Sequence, residues 1–281
     1  MNPLLRLWLF GVRVVDRLPA LRQLHWQPPL RRWYFPLRAA ALVKPSLRFA
    51  LFELLRREAT RPYVLRESGL TAHVRHPLND MWVVDEIYVQ RVYEPPREVL
   101  DRIEALGRPP RILDLGGHAG LFALFALGRF AGSTVTSVEP NPDNARVLEA
   151  SRQAGGLTDR WRLVRAAAGV ADGTARIAGL SFLTQLDEGG SVEVEMRDAL
   201  PLLDEADVAK IDVEGGEWPL LADERLARAG VRAVVLELHD DGDGGTAYRE
   251  RACSLLREAG FTPGPLFDER PDTACIWAWR P

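Results

Sequence analysis

The chain contains the stretch Arg111-Ile-Leu-Asp-Leu-Gly-Gly-His-Ala-Gly-Leu-Phe-Ala123, in which a short apolar run ends in an acid and meets three glycines. The acid is Asp114, and the glycines are Gly116, Gly117 and Gly120. The pattern predicts a buried strand that turns sharply into a helix, with glycine where the backbone comes close to a ligand. We expect the N–H groups of this loop and the start of the following helix to face a bound cofactor.

A second apolar run ends at Glu139, 25 residues after Asp114. An acid at the tip of the neighbouring strand can accept hydrogen bonds from the two hydroxyls of a ribose. Pro140 and Asn141 follow this acid and belong to the same predicted site. A nicotinamide dinucleotide enzyme uses an acid in the same way, but its loop reads Gly-x-Gly-x-x-Gly, whereas the loop here reads Gly-Gly-x-x-Gly.

A third block, Val208-Ala-Lys-Ile-Asp-Val-Glu-Gly-Gly-Glu217, again follows a buried run with acids and glycines. Together with Asp114-x-Gly-x-x-x-Gly120, Val138-Glu-Pro-Asn141 and Val235-Leu-Glu-Leu-His239, it resembles the FkbM family of S-adenosylmethionine-dependent methyltransferases. The resemblance covers about residues 70 to 280. It implies a class I methyltransferase fold of the α/β class: a Rossmann-like, mostly parallel sheet of seven strands with helices on both faces.

The resemblance also implies a reaction, namely transfer of a methyl group from S-adenosylmethionine to a hydroxyl of a natural product, sugar or glycan. Asp212 and His239 are the candidates that align or deprotonate this small-molecule acceptor. The predicted cofactor-binding residues are Asp114, Gly116, Gly117, Gly120, Glu139, Pro140, Asn141, Ala167 and Asp212.

Several of these residues have a structural alternative. The small residues around Ala167 offer a place for an adenine ring, but close packing of helix on strand explains them equally well. His239 also fits a hydrogen-bonded structural role, and Lys210 fits an ion pair as well as a catalytic role. Asp240, Asp241 and Asp243 with Asp212 could bind Mg²⁺, but a solvated loop explains them equally simply and we assign no metal.

Two other functions stay open on sequence grounds. One is an NAD(P)-dependent oxidoreductase, which binding of a nicotinamide cofactor alone would support. The other is a non-catalytic cofactor-binding or scaffold protein of the same fold, which cofactor binding without methyl transfer would support.

Charge is distributed unevenly along the chain. Residues 1–66 hold 13 Arg and Lys against 3 Asp and Glu, a net +10, whereas the whole chain has a net charge of −3. We therefore divide the chain into a basic N-terminal helical extension, residues 1–66, and a methyltransferase domain, residues 67–281. The acidic domain argues against nucleic-acid binding.

We predict that the N-terminal extension is a helical cap that packs on the domain, covers the substrate or forms a homodimer. Peripheral contact with an anionic membrane is the next alternative, and stacking on RNA is the last. No apolar run approaches the roughly 18 residues of a membrane span. Cys253 and Cys275 lack metal-ligand spacing, which favours reduced thiols in a cytoplasmic protein.

From residue 111 onwards, predicted strands alternate with predicted helices. Such alternation is typical of a parallel sheet. Two strands near residues 261–267 and 273–280 close the chain, and we expect this hairpin to add one antiparallel strand at the edge of the sheet.

Overall fold

The computed structural model describes residues 28–178, 185–186, 190–240, 246–267 and 273–281 of the chain. In chain order the strands are β1 (Val43–Lys44), β2 (Ala59–Leu65), β3 (Thr71–His76), β4 (Arg111–Leu115), β5 (Thr134–Val138), β6 (Trp161–Val164), β7 (Ala167–Gly169), β8 (Gly173–Ala178), β9 (Gln185–Leu186), β10 (Val192–Asp198), β11 (Val208–Ile211), β12 (Ala233–His239), β13 (Thr262–Phe267) and β14 (Thr273–Trp279). The α-helices are α1 (Pro28–Ala40), α2 (Ser46–Leu54), α3 (Asp80–Asp85), α4 (Arg97–Glu104), α5 (Leu121–Arg129), α6 (Pro142–Ala154), α7 (Leu200–Glu205), α8 (Glu217–Ala222) and α9 (Ala247–Glu258).

Seven strands form the central sheet in the order β13-β14-β12-β11-β4-β5-β6. The strands from β12 to β6 in this order are mutually parallel. Val234 and Val235 are adjacent on β12 but belong to different buried apolar clusters, because successive side chains of a strand point to opposite faces. Both faces of the sheet are therefore covered, and the predicted seven-stranded, mostly parallel α/β fold is confirmed.

The closing hairpin differs from the prediction in one respect. The antiparallel strand β14 lies inside the sheet, between β12 and β13, and β13 forms the edge. Six of the seven residues of β14 are buried, as an internal position requires. β13 contains Pro263 and Pro265, which have no N–H to donate to a neighbouring strand, so this strand suits the edge.

A second sheet precedes the central one. β1, β2 and β3 form an antiparallel sheet, so the extension contains strands as well as the helices α1 and α2. The proposed boundary between residues 66 and 67 falls in the turn that joins β2 to β3. The backbone N–H of His73 on β3 donates to Ser151 Oγ on α6 at 2.8 Å, which attaches this sheet to the methyltransferase domain.

A third sheet is inserted after β6, with the order β7-β10-β8-β9. Its strands β8 and β10 are antiparallel to each other. Ala167 belongs to β7, where it is opposite Met196 of β10, and its side chain is buried. The small residues around Ala167 therefore lie in the inserted sheet.

The outer surface of α2 is apolar. Leu47, Leu51 and Leu55 follow one another at four-residue spacing and are 72%, 45% and 57% exposed. This exposed strip is compatible with the predicted cap, dimer or membrane contact, and all three stay predictions. In the described ranges, no helix combines the length and apolar character needed to cross a bilayer. The two cysteines are free thiols, with Cys275 buried and Cys253 half-buried.

A buried ion pair fixes α1 to α3. The guanidinium of Arg38 donates to both carboxylate oxygens of Asp85, and Gln90 Nε2 donates to the same carboxylate at 3.0 Å. Neither charged side chain is more than 3% exposed. Loss of one partner would leave the other charge buried without its counter-charge, which is far more costly than loss of an exposed pair.

We predict that Asp85→Ala lowers the free energy of unfolding by about 3–5 kcal/mol. The matched control is Asp101→Ala, which removes the exposed partner of Arg97 and should cost about 0.5 kcal/mol or less. Denaturant unfolding followed by circular dichroism measures both values. Equal losses in the two variants would contradict the assigned role of the buried pair.

Candidate active site

The loop after β4 is held by hydrogen bonds within the protein. The amides of Gly116 and Gly117 both donate to Val138 O at 3.0 Å, and the amide of Gly120 donates to Gly117 O at 2.8 Å. The expectation that these N–H groups face a cofactor is therefore wrong for the three glycines. Their donors instead fix the loop to the end of β5.

The glycines are required by contacts with neighbouring parts of the chain. Gly116 has φ +80°, and a Cβ at this position would lie 1.7 Å from the carbonyl oxygen of Asp212. Gly120 has φ +82°, and a Cβ there would lie 2.5 Å from the ring of Trp161. Since Asp212 N also donates to Leu115 O at 3.1 Å, the loops after β4 and β11 touch directly along their backbones.

Asp114 lies underneath this loop. Its side chain is fully buried, and its Oδ2 accepts a hydrogen bond from Ser137 Oγ at 2.8 Å. Its Oδ1 lies 3.6 Å from the ammonium of Lys210. Burial raises the pKa of Asp114 to about 6, although Lys210 and Ser137 oppose the shift. Asp114 therefore lies beneath the loop, where its carboxylate contacts Ser137 and Lys210.

The buried ammonium of Lys210 connects the loops after β4 and β11. It donates to Gly116 O at 3.0 Å and lies 3.0 Å from Asp212 Oδ2. Burial lowers the pKa of Lys210, but the nearby charges of Asp212 and Asp114 outweigh this effect and raise it, so the group stays protonated. The same ammonium lowers the pKa of Asp212 against the effect of burial. Of the two roles left open for Lys210, an ion pair and a catalytic role, the structure shows the ion pair.

Glu139 is the predicted ribose acceptor, and the structure surrounds its carboxylate with donors. Oε2 accepts from the amide of His118 at 2.7 Å, and Oε1 accepts from the amide of Asn141 at 2.8 Å and from Asn144 Nδ2 at 3.2 Å. Burial raises the pKa of Glu139 to about 7, and these three donors oppose the shift. A carboxylate oxygen has two lone pairs, so Oε2 retains one for a further donor.

Sequence analysis missed a network behind Glu139. Arg75 on β3 donates through Nη1 to Asn144 Oδ1 at 2.7 Å and through Nη2 to His118 Nε2 at 3.0 Å. Its guanidinium also binds the fully buried Asp80. Because arginine only donates, His118 Nε2 must be the acceptor, which places the ring proton on Nδ1. Asn144, a buried polar residue in the first turn of α6, is the signal that the sequence offered.

At the ends of β11 and β12, Asp212, Glu214, Glu217 and His239 form what we name the acidic cluster. His239 Nδ1 lies 2.5 Å from Oε1 of the fully buried Glu217. His239 Nε2 lies 3.4 Å from Glu214 Oε2. Asp212, Glu214 and His239 can each offer one ligand atom so that the three atoms lie within 4.8 Å of one another. The structure therefore brings the two predicted catalytic residues, Asp212 and His239, into one cluster.

The residues of the acidic cluster shift one another's pKa values. Burial lowers the pKa of His239, but the hydrogen bond and charge of Glu217 and the charges of Asp212 and Glu214 raise it to about 9. Burial, followed by repulsion from Asp212, raises the pKa of Glu214 to about 7. At neutral pH the imidazole is therefore protonated. Perturbed titratable groups of this kind concentrate at functional sites.

The remaining predicted residues lie around these groups. Pro140 is half-buried between Glu139 and α6. Asn141 caps α6, because its side-chain oxygen accepts from Asp143 N at 2.9 Å. Asp241 and Asp243 lie outside the described residues. Tyr93, from the segment before β4, donates to Glu237 Oε2 at 3.2 Å, with its ring 5.7 Å from Lys210 Nζ.

Comparison with known proteins now identifies the family. The profile described as "Methyltransferase FkbM domain" matches residues 114–263, more than half of the chain. The chain belongs to the FkbM methyltransferase family. Its members' cofactor, S-adenosylmethionine, is thereby assigned to this protein as well, and a nicotinamide cofactor is disfavoured. The match begins at Asp114 and includes Glu139, Asp212 and His239.

One curated relative is the AMB antimetabolite synthetase AmbE of Pseudomonas aeruginosa, which is 30% identical over 230 residues. The match covers 64% of this chain but only 10% of the relative, so this FkbM chain spans about a tenth of that protein's length. Among solved structures, an S-adenosylmethionine-dependent methyltransferase from Agrobacterium tumefaciens has a TM-score of 0.44 at 16% identity and covers 80% of this chain and 72% of its own. A precorrin-6y C5,15-methyltransferase from Geobacter metallireducens has a TM-score of 0.40 at 13% identity, covering 68% and 92%.

The residues of this FkbM domain fit a cofactor that carries a ribose. The free lone pair of Glu139 Oε2 suits a hydroxyl donor. A Cβ at Gly215, in the loop after β11, would meet nothing within 4 Å, so this loop has open space at that residue. Glu139 would hold the ribose, and the loops after β4 and β11 would enclose the rest of the cofactor.

We predict that Gly116→Ala lowers stability and cofactor binding together, since the new methyl group collides with the Asp212 carbonyl. The matched control is Gly173→Ala, where the Cβ would be at an ordinary 3.7 Å from Met196. Thermal unfolding and calorimetric titration with S-adenosylhomocysteine test both variants. Wild-type affinity in Gly116→Ala would contradict the assigned contact.

We predict that affinity for S-adenosylhomocysteine rises with pH up to about pH 7 and is constant above it, because burial raises the pKa of Glu139 to about 7 and the ribose hydroxyls require the ionised carboxylate. Glu139→Gln should weaken binding above pH 7 by about tenfold, or ~1.4 kcal/mol. The same substitution should remove the rise in affinity between acidic pH and pH 7, which we call the step. Calorimetric titrations across this pH range provide the measurement. A wild-type profile without a step would exclude Glu139 as the titrating contact.

Proposed function

We propose that this FkbM protein transfers a methyl group from S-adenosylmethionine to a hydroxyl oxygen of a small molecule, namely a natural product, sugar or glycan. The observation that carries this proposal is the acidic cluster, in which Asp212 and His239 lie together at the ends of adjacent strands. The cluster is joined to the cofactor loop through Lys210.

S-adenosylmethionine supplies a methyl group on a sulfonium sulfur, which an acceptor takes by in-line displacement. A neutral hydroxyl is a weak nucleophile, so the protein must align it and assist the loss of its proton. Groups that accept hydrogen bonds from a hydroxyl are therefore required beside the reacting carbon.

The two proposed catalytic residues are held rigidly. Asp212 is fixed by Lys210 at one carboxylate oxygen, and 22% of its side chain is exposed. His239 is fixed by Glu217 at Nδ1, and its backbone carbonyl accepts from Trp218 Nε1 at 3.1 Å. We assign to Asp212 the acceptance of a hydrogen bond from the acceptor hydroxyl and assistance in the loss of its proton, and to His239, which is protonated at neutral pH, the alignment of the acceptor.

The charge of the cluster favours an oxygen acceptor. Carboxylates stabilise the protonated form of a nearby amine, which has no lone pair with which to attack carbon. The same carboxylates accept a hydrogen bond from a hydroxyl without removing its lone pairs. A predominantly anionic cluster at the proposed methyl-transfer position thus supports O-methylation over N-methylation.

We predict that Asp212→Asn and His239→Gln each lower the rate of methyl transfer by about 10²-fold or more, because both remove groups that act on the acceptor hydroxyl. The control is Asp159→Asn, an exposed carboxylate outside the site, which should retain the wild-type rate. Release of S-adenosylhomocysteine measures turnover with a panel of methyl glycosides, aliphatic alcohols, phenols and primary amines. Nuclear magnetic resonance then locates the new methyl group.

Two results would overturn the proposal. One is methylation of nitrogen with no oxygen product across the panel. The other is tight binding of S-adenosylhomocysteine with no turnover on any acceptor, which would support a non-catalytic cofactor-binding protein.

A further inference from the structure

The acidic cluster contains donors that suit a cation. One atom from each of Asp212, Glu214 and His239 lies within 4.8 Å of the other two. Donors bound to a common ion at about 2.1 Å lie roughly 3 to 4.2 Å apart, so a shift of about half an ångström brings all three into range. Asp212 uses Oδ2 for Lys210 and keeps its other oxygen for a ligand.

His239 is oriented as a metal-binding histidine would be. Its Nδ1 is 2.5 Å from Glu217 Oε1, and its Nε2 points toward Glu214. In many metal sites a carboxylate accepts a hydrogen bond from the ring nitrogen that does not bind the metal. This hydrogen bond fixes the tautomer of the histidine and the direction of its ligating nitrogen. Glu217 thus occupies the position of this supporting carboxylate.

Glu217 supplies a second, independent observation. Its side chain is fully buried, and its Oε2 has no hydrogen-bond partner in the described part of the chain. A buried carboxylate with one unsatisfied oxygen is costly unless positive charge lies close by. The protonated His239 ring supplies that charge when the site is empty, and a cation bound at Nε2 would take the place of the Nε2 proton and supply it in turn.

We propose that Asp212, Glu214 and His239 bind one divalent cation, with Glu217 as a positioning residue. The inference rests on the proposed function and deepens it. Two carboxylates and one imidazole suit Mn²⁺, Mg²⁺ or Zn²⁺ better than Ca²⁺, which favours oxygen ligands throughout. Three protein ligands leave coordination positions open, as catalytic metal sites do.

The bound cation specifies how the acceptor is activated. The cation would bind the oxygen of the acceptor hydroxyl and lower the pKa of that hydroxyl. Asp212 and His239 would thus align the acceptor by holding the cation. The O–H bond breaks and the proton passes to solvent. An O–C bond then forms as the C–S bond breaks, and the electron pair stays on sulfur, which leaves as a neutral thioether.

The test is binding of Mn²⁺ to the untagged full chain, freed of metal with a chelator and followed by the electron paramagnetic resonance signal of the free ion. We expect one Mn²⁺ per wild-type chain. Glu214→Gln and His239→Asn should each weaken binding by at least tenfold, and Glu217→Gln should weaken it by about 10 to 100-fold. The matched control is Glu224→Gln, whose side chain is 88% exposed and which should bind as wild type does.

Absence of stoichiometric Mn²⁺ binding, or equal binding in wild type and Glu214→Gln, would overturn the cation site. Turnover that persists in excess EDTA would overturn its catalytic use and leave the proposed methyl transfer intact. Conversely, Mn²⁺ binding with no methylated acceptor would refute the proposed function while the cation site stands. A further readout is the competition of Mg²⁺ and Zn²⁺ for the Mn²⁺ site.

Discussion

One buried ammonium determines the geometry of this site. Lys210 lies inside the sheet with 4% of its side chain exposed, and a charge in that position is several kcal/mol too costly unless it is surrounded by acceptors. The acceptors come from two loops: the Gly116 carbonyl and Asp114 on one side, and Asp212 on the other. The position of the cofactor loop relative to the acidic cluster therefore follows from the requirements of a single cation.

Much of this arrangement could be predicted from the sequence. Asp114, Glu139, Asp212 and His239 each stand near the end of an apolar run, and the carboxyl ends of parallel strands meet at one edge of a sheet. That local pattern sufficed for a parallel α/β sheet with a site at its edge, whereas the seven-stranded methyltransferase fold followed from the resemblance to the family. The pattern did not place β14 inside the sheet, because strand order depends on pairing between distant segments, although the prolines of β13 were a usable signal.

The network around Arg75, which was not predicted from the sequence, joins distant parts of the chain. Arg75 contacts Asn144 and His118, 69 and 43 residues away, and no periodicity connects such positions. His118 supplies both an amide to Glu139 and a ring nitrogen to Arg75. The N–H groups of the three glycines do not face a cofactor as expected, because Val138 O at the end of β5 accepts from Gly116 and Gly117 and Gly117 O accepts from Gly120.

The β2–β3 hairpin has a consequence for anyone who transplants this catalytic unit into another polypeptide. The family match begins at Asp114, yet Arg75 reaches the cofactor side of the sheet from β3, and β3 is hydrogen-bonded along its length to β2. A splice at residue 67 would sever the hairpin, and a splice at residue 110 would discard the arginine. A self-sufficient module must therefore carry its N-terminal sheet with it, and a fusion junction belongs upstream of α1.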